Sequence, residues 1–158
     1  LGTSFNVKAY ADDVEFETTL ESGEVVVLKT DNAIQTEICK MVPGEHFVID
    51  ETTNKYSLNA EDPSKYVSWK EGKLVFKEDR IEKVAELLSR WYNVDIVLKD
   101  TELSDLTYTA TFVDESLSQV LDMLEAISPI SCVVSERYKQ ADGTFSKKEI
   151  SIYTKKGN

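Results

Sequence analysis

The sequence predicts an α+β chain in two parts. An N-terminal antiparallel all-β domain, truncated at its start, occupies residues 1–62, and a small β-α-β/β-α-β sandwich closed by a β-hairpin occupies residues 69–158. Three observations carry that expectation. Apolar residues alternate with period two in short runs through the first part, they repeat at a fixed offset of 36 residues in the second, and charge divides unevenly between the two. Residues 1–62 hold 13 acids and 4 bases, net −9, whereas residues 63–158 hold 16 acids and 14 bases, net −2.

In the first part six strands are expected: Ser4 to Ala9, Val14 to Leu20, Glu24 to Leu28, Ile34 to Met41, His46 to Ile49 and Tyr56 to Leu58. Asp12-Asp13, Ser22-Gly23, Asp31-Asn32, Pro43-Gly44 and Asn54-Lys55 separate them, all residue types that tolerate tight or left-handed backbone. In the second strand Val14, Phe16, Thr18 and Leu20 fall on one face, and Glu15, Glu17 and Thr19 on the other, which predicts a sheet with one wet side. From Asn59 to Ser68 the pattern lapses, and a linker ending near Trp69 is expected.

In the second part Phe76 corresponds to Phe112, Ile81 to Leu117, Val84 to Val120, Leu87 to Met123, Leu88 to Leu124, Trp91 to Ile127, Val94 to Ile130, Ile96 to Cys132 and Val97 to Val133. Positions 81, 84, 87, 88 and 91 form one stripe of an amphipathic helix, and the residues after Asn93 begin a strand. Each repeat therefore reads strand, helix, strand, with its two strands parallel across a right-handed crossover. Asp79 with Glu82, and Ser116 or Asp114 with Gln119, suit the helix starts, while Asn93 and Pro129 suit the ends. Ile130 to Tyr138 and Phe145 to Tyr153 flank Asp142-Gly143, which predicts a closing hairpin on a type I′ turn.

Composition excludes some functions. At 158 residues with a net charge of −11, the chain lacks the clustered Lys and Arg that hold phosphates or an anionic membrane. No apolar run is long enough to cross a bilayer. His46 stands in a strand without convergent ligands, so it reads as an incidental strand residue rather than a metal ligand or catalytic base. Cys39 and Cys132 fall at apolar strand positions and read as buried free thiols. Asp12-Asp13, Glu15 with Glu17, and Asp50-Glu51 do not match a calcium loop and read as solvated faces. Trp91, aligned with Ile127, reads as core, and Tyr92 as the outward neighbour. No catalytic, cofactor-binding or metal-ligating residue is expected.

Leu1-Gly2-Thr3-Ser4-Phe5-Asn6-Val7, Glu24 to Val27 after Ser22-Gly23, and Pro43-Gly44-Glu45 together resemble the periplasmic β domain of FecR-type anti-sigma factors. Trp69 to Phe76, Arg90-Trp91-Tyr92-Asn93-Val94 and Ser128-Pro129-Ile130 resemble the C-terminal domain of the same proteins. That domain is similar to the short N-terminal module of secretins and TonB-dependent receptors, itself built of two strand-helix-strand units. The resemblance implies signalling without catalysis. It implies a periplasmic fragment of a protein anchored in the inner membrane, which senses the signalling domain of a TonB-dependent outer-membrane receptor. It also implies that a cytoplasmic segment of the parent, outside this fragment, holds an extracytoplasmic-function sigma factor.

For recognition, the last strand is expected at a sheet edge, with Ile150 and Ile152 inward, Ser151 and Tyr153 outward toward a partner strand, and Lys155-Lys156 as guarding charges. Two other readings stand beside this one. A periplasmic or secreted carbohydrate-binding β-domain would need outward aromatics in the acidic half, and an assembly module, as in secretins, would multimerise.

Overall fold

The computed structural model describes residues 2–11 and 13–155; Leu1, Asp12 and Lys156 of the motifs above lie outside the described residues. The chain divides into two units, Leu1–Gly72 and Lys73–Asn158.

The first unit is all-β apart from its end. β1 (Ser4–Lys8), β2 (Glu15–Ser22), β5 (Glu45–Asp50) and β6 (Tyr56–Ala60) form an antiparallel sheet in the order β1-β2-β5-β6. β3 (Val25–Asp31) and β4 (Ile34–Met41) pair as a separate hairpin. All six expected strands form, because alternation buries one face: Leu20, Met41 and Phe47 are fully enclosed, with Phe16, Val25, Val27, Ile38 and Leu58 packed around them. Gly23 turns the chain at φ +89, and a Cβ there would stand 2.5 Å from Thr3 Oγ1, so this turn takes only glycine. Asn32 and Ala33 both hold positive φ, 46 and 66, the geometry of a type I′ turn joining β3 to β4.

Two expectations are corrected in this unit. The face carrying Glu17 and Thr19 is not wet, since both residues are buried. The segment expected to be a linker supplies the cover: α1 (Ser64–Val67) and the 3₁₀ turn Ser68–Glu71 pack on the first unit, which ends at Gly72 rather than at residue 62. Tyr66 stacks on His46 with ring centroids 4.3 Å apart, and Trp69 donates its indole N–H to Asn6 Oδ1 at 2.9 Å. Aromatic contacts made by single residues leave no apolar period to read in a sequence.

The second unit holds the repeat. β7 (Lys73–Arg80), α2 (Ile81–Tyr92) and β8 (Val94–Leu98) form the first strand-helix-strand, and β9 (Thr107–Val113), α3 (Leu117–Ile127) and β10 (Ile130–Val134) the second. β11 (Lys148–Thr154) follows. The strands within a repeat do not pair with one another, contrary to expectation. β7 pairs antiparallel with β9, the equivalent strand of the other repeat, while β8 joins a second sheet of order β10-β11-β8. The parallel pair of this unit is β8 with β11. Leu74 and Phe76 of β7 bury themselves with Tyr108 and Phe112 of β9, so the apolar match between repeats takes the place that a crossover partner would fill. Helix faces Ile81, Val84, Leu88 and Val120, Leu121, Leu124 complete one continuous core with Ile130, Ile150 and Ile152.

Helix ends follow local chemistry. Ser116 and Gln119 form the expected reciprocal capping box. Asp79 does not cap α2; its carboxylate accepts from the Lys77 N–H at 3.0 Å, and Arg80 takes the cap position without a side-chain bond. Asn93 closes α2 in the left-handed region at φ 52. β10 and β11 form the closing hairpin, but only Gly143 of its tip has positive φ, and the Gly143 N–H bonds to the Gln140 carbonyl. A type I turn with a glycine bulge therefore replaces the expected type I′. Tyr92, four residues after Leu88, lies on the buried stripe and donates its hydroxyl to the Glu115 carbonyl at 2.6 Å, whereas Trp91 is 38% exposed, so the expected roles are exchanged.

Candidate functional site

Two places concentrate polar chemistry or uncovered surface, one in each unit. The first lies on the covered polar face of the β1-β2-β5-β6 sheet. Thr19 on β2 and His46 on β5 are directly opposed in register, and Thr19 Oγ1 is 2.7 Å from His46 Nδ1. Two residues along β2, Glu17 shares that face; its Oε2 is 3.6 Å from His46 Nε2 and its Oε1 accepts from Lys8 Nζ at 2.7 Å. Lys8 also reaches Asp13 at 3.3 Å, and the Tyr66 hydroxyl donates to Glu61.

A hydroxyl, an imidazole and a carboxylate in this order have the connectivity of a hydrolase triad. Access decides against that chemistry: Thr19 is 0% exposed and His46 4%, and the ring of Tyr66 lies over the imidazole, so no substrate carbonyl can approach the hydroxyl. The cluster acts as a satisfied polar core, in which a buried carboxylate keeps a cation and an imidazole as partners. His46 is thus a structural keystone rather than an incidental strand residue. The period-two pattern already put Glu17 and Thr19 on one face; the signal that could have exposed the cluster is that Asn6 and Lys8 of β1 fall on the same side.

The thiols show no catalytic character. Both cysteines are free and half-buried rather than fully enclosed. Burial pushes the Cys132 thiol up to about 11, helped by the neighbouring Glu125 carboxylate, and burial raises that of Cys39 as well. Neither supplies a thiolate at neutral pH. Among the described residues no group of three His, Cys, Asp or Glu side chains could hold a metal ion, and no helix is long and apolar enough to cross a membrane.

The second place is the β10-β11-β8 sheet, where the residues singled out for partner binding lie. Ile150 and Ile152 face inward and are buried. Ser151 and Tyr153 do not lie on an edge: β11 is the middle strand, hydrogen-bonded to β10 on one side and β8 on the other. The edge expectation fails because β8 returns to this sheet instead of pairing with β7, which fills the side of β11 that would have been open. A proline at 151 would break a central ladder and so could not test edge binding.

The same register places Ser151 between Val97 of β8 and Val133 of β10, in one row across the outer face of the sheet. Val133 is 55% exposed, and Val97 and Tyr153 are also open to solvent. Lys99 with Glu149 at 3.8 Å, and Lys147 with Asp95 at 3.7 Å, are exposed ion pairs that border the row. Small side chains in a flat row with charges at the border form a surface suited to another protein rather than to a small ligand.

Comparison with known proteins bears on this unit most directly. Residues 73–139 match the family described as FecR, C-terminal. No curated protein matches the chain. Two crystal structures of a protein from Parabacteroides distasonis, assigned there as an anti-sigma factor, are similar to it. The structure at 1.65 Å has a TM-score of 0.69 and 26% identity, and that at 2.50 Å has a TM-score of 0.66 and 27% identity. In each case the likeness covers 98% of this chain, which spans 65% of the other's length. The family match over residues 73–139, joined to these two likenesses along nearly the whole chain, places it in the FecR family of anti-sigma factors.

Proposed function

We propose that this chain is the periplasmic sensing region of a transmembrane anti-sigma factor. In this reading it receives a signal from a TonB-dependent outer-membrane transducer and relays it to an extracytoplasmic-function sigma factor, which a cytoplasmic segment of the parent protein holds. The relay proceeds by protein recognition without catalysis, and the parent is anchored in the inner membrane. The observation that carries the reading is the FecR C-terminal match on the second unit, whose three-stranded sheet leaves the Val97-Ser151-Val133 row and Tyr153 uncovered. That face, rather than a strand edge, is the docking surface for the signalling domain of the transducer.

The test is a titration of this chain with the purified signalling domain of a TonB-dependent receptor from the same bacterium. Ser151→Arg places a long cation in the middle of the row while leaving the strand hydrogen bonds intact, and it is expected to weaken binding about tenfold or more. Ser151→Ala is expected to bind as the parent does. Equal affinity in the arginine variant would remove the face from the reading, and no binding to any such domain would remove the transducer.

A further inference from the structure

The first unit contains a slot shaped for one more β-strand. A cavity of about 470 Å³ runs beside β3. The residues that line it come in two patterns. From β1, β2 and β5 they alternate, Phe5 and Val7 on β1 being typical, as they must where a sheet presents its face. From β3 they are consecutive, Val25 through Lys29, as they must where a strand presents its edge. Among the described residues β3 pairs only with β4, so the backbone on its other side is open to pairing. Beneath that open side, Phe5 and Val7 are 50% and 47% exposed although they share the inward face with buried Leu20. The hairpin is too narrow to cover the sheet below it, and what it leaves bare is a track one strand wide.

Charge marks the two ends of the track. Glu24 immediately precedes β3, and Asp31 ends it. Glu51 lines the cavity, and the one cation lining it, Lys29, donates to Asn54 Oδ1 at 2.7 Å.

We propose that the slot binds an extended segment of another protein by strand addition to β3. The segment carries small apolar residues at alternate positions facing Phe5 and Val7, and a basic residue near each end facing Glu24 and Asp31. Main-chain bonds to β3 supply affinity, and the alternation and end charges supply specificity. This docking is independent of the second unit.

The test uses the 158-residue chain and a synthetic peptide, acetyl-Lys-Val-Thr-Val-Thr-Val-Lys-amide, followed by calorimetry and by amide exchange in β3. The expected result is saturable binding with slowed exchange at β3. It should weaken about tenfold in Phe5→Glu and again in Glu24→Lys, a surface change that leaves the sheet intact, with circular dichroism unaltered. Three outcomes would overturn the proposal. The peptide with Glu in place of both Lys could bind as tightly. The Phe5→Glu variant could bind undiminished. The β3 edge amides could already be protected in the free chain; if the chain then sedimented as a dimer, the slot would belong to a second copy, and if as a monomer, to a strand of the chain's own.

Discussion

Glu17 is the residue on which the buried cluster of the first unit turns, because it accepts from Lys8 and faces His46 from one carboxylate. Replacing Glu17 with Ala leaves a lysine and an imidazole with a lost partner under the cover of Tyr66, and about 1–3 kcal/mol of stability should go with it. Urea unfolding would measure the loss, and a variant as stable as the parent would show that the cluster is decorative. The inward and outward assignment of Ile150, Ser151, Ile152 and Tyr153 was legible in the sequence because alternation along a strand is local. The importance of His46 was not. Its neighbours come from β1, β2 and α1, and the partner that seals it, Tyr66, sits in a stretch with no apolar period at all.

Strands and helices of this chain were legible as elements, and their partners were not. Alternation and the repeat locate β1 through β9 and both long helices within a few residues, since each depends on its own segment. Pairing depends on competition: β7 meets β9 because the two repeats carry matching apolar faces, and β8 is thereby released to β11. The β3–β4 turn illustrates a local mismatch of the opposite kind. Ala33 occupies left-handed backbone at φ 66, where a Cβ is penalised. Ala33→Gly should therefore stabilise the protein by about 1 kcal/mol, visible as a raised midpoint in thermal unfolding, and a lowered midpoint would contradict the strained turn.

At the scale of the molecule, the family match begins where the second unit begins, at Lys73. That unit has its own core from Leu74 to Ile152. Residues 73–158 expressed alone should therefore fold, giving a dispersed amide spectrum and a single cooperative transition, whereas a collapsed spectrum would mean that the first unit is needed. The uneven charge found in the sequence anticipated two units but not their boundary, because the residues joining them fold back on the first through two aromatic contacts.

The central position of β11 sets an order of events in time. Val94 to Leu98 and Ile130 to Val134 are each made long before their common neighbour, Lys148 to Thr154, and neither pairs with the other. During synthesis or export the two wait as strands without a ladder, and the sheet closes only when nearly the last residues arrive. The outer face that carries Val97, Ser151 and Val133 is therefore assembled last, so a chain cut short of Lys148 lacks its recognition surface and also exposes two unpaired strands to aggregation.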